Sequence, residues 1–227
     1  MKKYEEAEEI FAGRNSYSKT DHDATFMHMK EDHMKNGQLK PGYNIQAATT
    51  NQYVVDFALY PNPTDFKTLE PFLKQMTTLD KFDKIVADAG YGSEYNYSML
   101  EKEYPDKKYY IPYTMYEKEK TRKYRNDPTK LANWQYLKEK TKEVLQSPEG
   151  RHIYSMRKYD VEPIFGHLKN VFGMRRTHLR GKKKVETDIG IAFMMMNLCK
   201  YWNRRWSKDQ FSLFKNKNRR LPSKITR

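Results

Sequence analysis

Cysteine is almost missing. Cys199 stands alone among 227 residues, which rules out a disulfide framework or a thiolate metal site within one chain and points to a reducing, cytoplasmic setting. Long apolar runs are missing too. The longest, IGIAFMMMNLC at 189–199, stops at eleven residues and contains an Asn, well short of the roughly 20 that span a bilayer. No signal peptide opens the chain, because MKKYEEAEEIF turns acidic after its two lysines. No internal repeat is visible. Acidic residues are scarce in one place only: residues 168–227 hold Glu186, Asp188 and Asp209 against 17 Lys and Arg, while residues 1–167 are balanced at 26 of each sign. The whole net charge of +14 therefore sits in the last quarter. A neutral body with a basic, polar end reads as a binder of polyanions, nucleic acid rather than membrane. The plainer reading is a solvated tail that aids solubility.

Aromatic residues are plentiful. They make up 14% of the chain, with 18 Tyr and 11 Phe, against only 37% hydrophobic residues in all, so the core leans on large rings with polar tips. The length suits one substantial domain with insertions. Residues 3–11 read as a helix ended near Gly13, and Thr25–Met29 as at most a short strand. YNIQAATTNQYVVDFALY (43–60) reads as a hairpin around Thr50, Asn51 and Gln52. Leu69, Phe72, Leu73, Met76 and Leu79 follow helical spacing; with Thr68 as N-cap, Pro71 falls in the first turn, where its missing amide costs nothing. Lys84–Ala87 reads as a buried strand, Ser93 as the cap of a helix reaching about Tyr104, and 107–112 as a strand. Residues 113–150 alternate in charge and read as a mostly helical insertion docked through Trp134, Leu137 and Val144. Helices follow from Val161, with Pro163 kinking the helix or placing its start near Asp160, and over about Val185–Tyr201.

Chemistry concentrates at two places. KIVADAGYGS (84–93) brings Asp88 to the tip of a strand and follows it with Ala89 and Gly90, which leave room for a phosphate backbone. Glu162 and Lys169 lie seven residues apart, about two turns on one helix face. A strand-tip carboxylate and a helix carboxylate can share divalent ions. Mg²⁺ is the ion expected for hard oxygen ligands and a phosphate, with Mn²⁺ as a substitute. Two ions about 3.5–4 Å apart would serve in-line displacement at phosphorus. In isolation Asp88 reads equally as a turn residue, and Glu162 with Lys169 as an exposed pair. His22 between two aspartates reads as part of a capping turn rather than a metal site. GMRRTHLRGKKK (173–184) carries Arg175, Arg176, Arg180, Lys182, Lys183 and Lys184 with no acid, a loop suited to phosphate contact. Trp206, Phe211 and Phe214 are interleaved with the basic residues beyond Arg204, a pattern that fits backbone contact with occasional stacking.

ADAGYGSEYNYSMLEKE, VEPIFGHLKNVFGMRRTHLRG, GYNIQAATT, TDHDATFMHMK and IGIAFMMMNLCKYW, in their order along residues 10–202, together resemble the DDE-type transposases of bacterial insertion sequences. The resemblance implies an α/β, RNase H-like mixed sheet flanked by helices, with a basic helical C-terminal part. It implies Asp88 and Glu162 as metal-binding acids and Lys169 as the accompanying base that grips DNA. Tyr154 and Arg157 echo the family's Tyr and Arg ahead of the glutamate, at a different spacing. The family's first acid lies on a central strand upstream of the TDHDA-like stretch, and no such strand is found here. The chain is thus expected to be an N-terminally incomplete transposase, lacking that strand. Its parts would be an N-terminal helix and polar linker (1–40), a catalytic domain (41–202) with the 113–150 insertion, and a basic tail (203–227). The implied partners are double-stranded DNA at insertion-sequence ends and further copies of the chain on that DNA, in a bacterial, nucleoid-associated setting. Two other readings stay open: a non-catalytic DNA-binding remnant, and an RNase H-like nuclease that only cuts.

Overall fold

The computed structural model describes residues 2–11, 13–29, 37–121 and 132–218. Helix α1 (Lys2–Phe11) is followed by an antiparallel pair, β1 (Thr25–His28) and β2 (Leu39–Gly42). The short strand read at Thr25 thus has a partner that the polar 30s concealed. Hairpin β3 (Asn44–Thr50) and β4 (Tyr53–Tyr60) turns through Asn51 and Gln52, both at positive φ, with a bulge at Ala48/Thr49. Two left-handed residues match the twist of a tight hairpin. Next come α2 (Leu69–Gln75), β5 (Lys84–Val86), α3 (Glu94–Glu103) and β6 (Lys108–Tyr110), with β5 and β6 parallel. Helices α4 (Tyr116–Thr121), α5 (Ala132–Gln146), α6 (Pro148–Asn170) and α7 (Lys182–Asn218) complete the order.

Two apolar cores result. The first gathers Leu73, Tyr97, Leu100, Ile111, Leu137 and Leu145 from α2, α3, α5 and the segment after β6. Trp134 stacks on Tyr97 at 5.9 Å, so the charged 113–150 stretch is anchored through the docking residues its sequence offered. The second core joins Val54 and Leu59 of β4 to Ile164 and Leu168 of α6 and to Val185, Ile189 and Phe193 of α7. Helix α6 serves both cores, with Ile153 and Tyr154 packed on the first and Ile164 and Leu168 in the second.

Several sequence expectations change. Thr68 has helical backbone angles and its hydroxyl donates to the Asp65 carbonyl at 2.7 Å rather than capping α2. Leu79 lies in a separate 3-10 turn beyond that helix. Helix α6 starts at Pro148, where the Ser147 hydroxyl accepts from the Gly150 amide at 2.9 Å, not near Asp160. Pro163 is inside it. A proline there leaves the carbonyl four residues back without its helical donor; that carbonyl, of Tyr159, accepts from Gln52 Nε2 at 2.8 Å. Helix α7 begins at Lys182 and runs to Asn218, longer at both ends than its apolar spacing indicates. The expected mixed sheet is present as three separate two-stranded ladders among the described residues.

Candidate functional site

A cavity of about 2190 Å³ opens between the two cores, lined by β3, β5, α2 and α6 and rimmed by β1, β2 and residues 173–180. Asp88, Glu162, Lys169, Arg175, Arg176 and Arg180 all line it. Residues 74 positions apart in the chain, Asp88 and Glu162, thus share one groove because α6 crosses over β5. Lys182, Lys183 and Lys184 do not line it: they form the first turn of α7 rather than a loop. Lys182 Nζ lies 5.8 Å from the Tyr60 ring centroid, and Lys183 and Lys184 are exposed.

Asp88 is extended at the end of β5 and leads into one 3-10 turn, Ala89–Tyr91, whose Tyr91 amide donates to the Asp88 carbonyl at 3.1 Å. Its carboxylate is 55% exposed and faces Arg157 Nη1 at 3.7 Å. Arg157 is mostly buried, lies 5.6 Å from the Tyr154 ring centroid, and has an Nε that is buried without a hydrogen-bond partner. The spacing departure noted in the sequence does not prevent Arg157 from reaching Asp88, with the Tyr154 ring beside the guanidinium. One helical turn on, Asp160 accepts from Thr49 Oγ1 at 2.9 Å and from the Gln52 amide. A single turn of α6 therefore holds both the Asp88 turn and the end of β3.

Sequence reasoning missed a polar cluster behind Asp88. Asp65 Oδ1 accepts from Asn44 Nδ2 at 2.7 Å and Gln46 Nε2 at 3.1 Å, and Tyr91 donates its hydroxyl proton to Gln46 Oε1. Burial, reinforced by Asp65 and Asp88, pushes the Tyr91 phenol far above the ordinary tyrosine range. A Cβ on Gly90 would sit 3.2 Å from Asp65 Oδ2, and one on Gly92 only 2.2 Å from the Pro112 carbonyl oxygen. The demand for a bare residue is thus strongest at Gly92, where the turn meets backbone. The only local hint of this cluster was an acid two residues after Pro63.

The other nearby acids have structural work. Asp23 Oδ2 accepts from the Lys182 amide at 2.8 Å, and Asp21 Oδ2 from the Tyr43 hydroxyl at 2.8 Å. The His22 ring meets Tyr17 edge-on at 5.6 Å. Asp56 caps the Phe57 amide at 2.7 Å and lines a separate pocket beside α7. Among the described residues no group of three or more His, Cys, Asp or Glu is placed to hold a metal ion. No helix among them is long and apolar enough to cross a membrane.

Compared with protein families, residues 14–198 match the transposase DDE domain model. The chain belongs to that family. Searches of curated proteins and of solved structures each return no match. The family match covers the two cores, the groove and the first 17 residues of α7, and Asp88 and Glu162 both line that groove.

Proposed function

We propose that the groove receives double-stranded DNA at the ends of an insertion sequence, and that its chemistry is divalent-metal-dependent strand cleavage and strand transfer. The observation that carries this reading is the convergence of Asp88, Glu162, Lys169 and three arginines on one cavity of a DDE domain. The succession of hairpin, helix and parallel pair under flanking helices supports an RNase H-like arrangement. Mg²⁺ is held by one or two carboxylates together with substrate phosphates, and Asp88 and Glu162 fit that donor set; Mn²⁺ would serve in the same place. Asp88 and Glu162 would hold the ion, which would supply activation of the attacking oxygen and stabilisation of the leaving one. Lys169 and the rim arginines hold neighbouring phosphates by charge. The setting is the bacterial cytoplasm, on the nucleoid, with self-association on the bound DNA.

A second reading is favoured by one observation. No group of three or more acids among the described residues is placed to hold a metal, and on this reading these 227 residues bind DNA without cutting it. Two measurements test the scheme together. Duplex affinity falls with salt at a log–log slope of about −0.9 per phosphate neutralised, so replacing Arg175, Arg176 and Arg180 by Ala flattens the slope by about 2–3. Deleting residues 204–227 flattens it further, and an unchanged slope in both variants rejects the basic quarter as the DNA contact. On the second reading plasmid incubated with Mg²⁺ or Mn²⁺ remains un-nicked. Nicking abolished by Asp88→Asn would instead identify a third ligand, with Asp65 first to be tested. Nicking without joined products would favour a nuclease.

A further inference from the structure

Nine of the ten glycines have a reason inside the chain. Four hold a positive φ, and at the other five a Cβ would come within 3.2 Å of a side chain or of backbone. Gly166 has neither reason. Its φ is not positive, and a Cβ built on it meets no neighbouring atom within 4 Å. It lies inside α6, four residues before the helix ends at Asn170, where glycine is a poorer helix former than alanine or leucine. The packing of the described residues gains nothing from the missing side chain. Its neighbours on the helix surface say what could use it: Glu162 is one turn back, and Lys169 and Asn170 are one turn on. Asn170 Oδ1 accepts from Arg175 Nη2, which holds that guanidinium against the end of α6. Glu162, Lys169 and Arg175 all line the groove, so the bare position sits among three charged side chains that point to one ligand.

We infer that Gly166 is where the sugar–phosphate backbone of a bound duplex rests directly on α6, and that a side chain is excluded there so that one strand reaches Lys169 and Arg175 together while passing Glu162. This rests on the DNA reading of the groove. Glycine lets a backbone come close to a ligand. Even a methyl group would hold the strand off the helix surface, and charge contacts weaken as the separation grows. A second helix packed on the same face would have to bury Glu162 and Lys169, and desolvating charges is costly. A phosphate strand instead offers Lys169 and Arg175 an opposite charge. Helix α6 thus gives up local stability at one turn in exchange for contact with DNA.

The test sets stability against binding in Gly166→Ala and Gly166→Leu, with the whole chain and a fluorescent duplex titrated at several salt concentrations. Both variants keep their helical circular dichroism, and Gly166→Ala raises the melting midpoint by about 1–4 °C. Gly166→Ala weakens duplex binding severalfold, and Gly166→Leu weakens it further. Because no cation is removed, the salt line of Gly166→Ala runs parallel to the parent's, whereas Arg175→Ala flattens it by about 0.9. A role in the fold alone would move stability and binding in the same direction. Equal duplex affinity in the parent and Gly166→Leu overturns the proposal. A lowered melting midpoint in Gly166→Ala also overturns it, because the position would then serve the fold. Unchanged duplex affinity with self-association lost in sedimentation would assign the bare face to a second copy and overturn the DNA contact. A parent that binds no duplex at all rejects the DNA reading and this contact with it, a result distinct from a parent and variants that bind equally.

Discussion

Pro163 illustrates how far apart cause and compensation can lie. Its ring deprives the Tyr159 carbonyl of a helical donor, and Gln52, at the tip of the β3–β4 hairpin with φ of 63°, supplies one at 2.8 Å. The same side chain accepts from Lys200 Nζ, so one glutamine ties the hairpin to α6 and α7. A neutral hydrogen bond contributes about 0.5–1.5 kcal/mol, and Gln52→Ala should lower stability by that order. In a Pro163→Ala background the Tyr159 carbonyl regains its own helical donor, and the cost of Gln52→Ala should shrink. A double-mutant cycle of urea melts measures the coupling; equal costs in both backgrounds would refute the compensation. Pro163 read as a helix boundary in the sequence because its remedy lies more than a hundred residues away. Asp88 and Glu162 were legible because each sits in a local motif, whereas the Arg157 contact with Asp88 depends on how α6 crosses β5.

Helix α7 shows the same lesson in a whole element. Its first amide, of Lys182, is met by Asp23 Oδ2 at 2.8 Å, so the capping acid comes from the far end of the chain. Arg14 reinforces that loop, donating to the carbonyls of His22 at 2.8 Å and Asp23 at 2.9 Å as well as to those ending α1. Three consecutive lysines without a local cap read as loop; the structure makes them a first turn. Removing an N-cap side chain costs about 0.5–2 kcal/mol, so Asp23→Ala should lower the melting temperature and increase amide exchange in residues 182–186 selectively. Asp23→Asn, which keeps an acceptor, should lose less. If exchange at 182–186 is the same in Asp23→Ala as in the parent, Asp23 is not the cap. Elements with contiguous apolar spacing, such as the β3–β4 hairpin and α3, were legible to within a residue or two for the opposite reason: their signals are local.

Across the whole molecule, tyrosine governs the response to alkali. Burial is the leading cause that raises the phenols of Tyr43, Tyr91, Tyr97, Tyr109 and Tyr113 far above the ordinary value of 10.0, and it lifts Tyr60 to about 12. Above pH 10 the unfolded chain releases protons that the folded chain retains, so stability is intact below pH 10 and falls as pH rises beyond it. Helical circular dichroism should be lost cooperatively in that window, together with the rise of tyrosinate absorbance from these residues. Ionisation of all tyrosines near pH 10 with the helices intact would contradict the burial described for them.

The amide of Asn197 closes on β4 from both sides, accepting from the Val54 amide at 2.9 Å and donating to the Val54 carbonyl at 2.8 Å across 143 residues of sequence. On a ribosome adding about 5–20 residues per second, the hairpin emerges roughly 7–30 s before its clamp is synthesised. Hairpins themselves form in about 1–10 μs. Until α7 is made, then, β4 is a finished strand with an unclamped edge, and the step that commits the nascent chain to its second core waits for that helix to leave the exit tunnel.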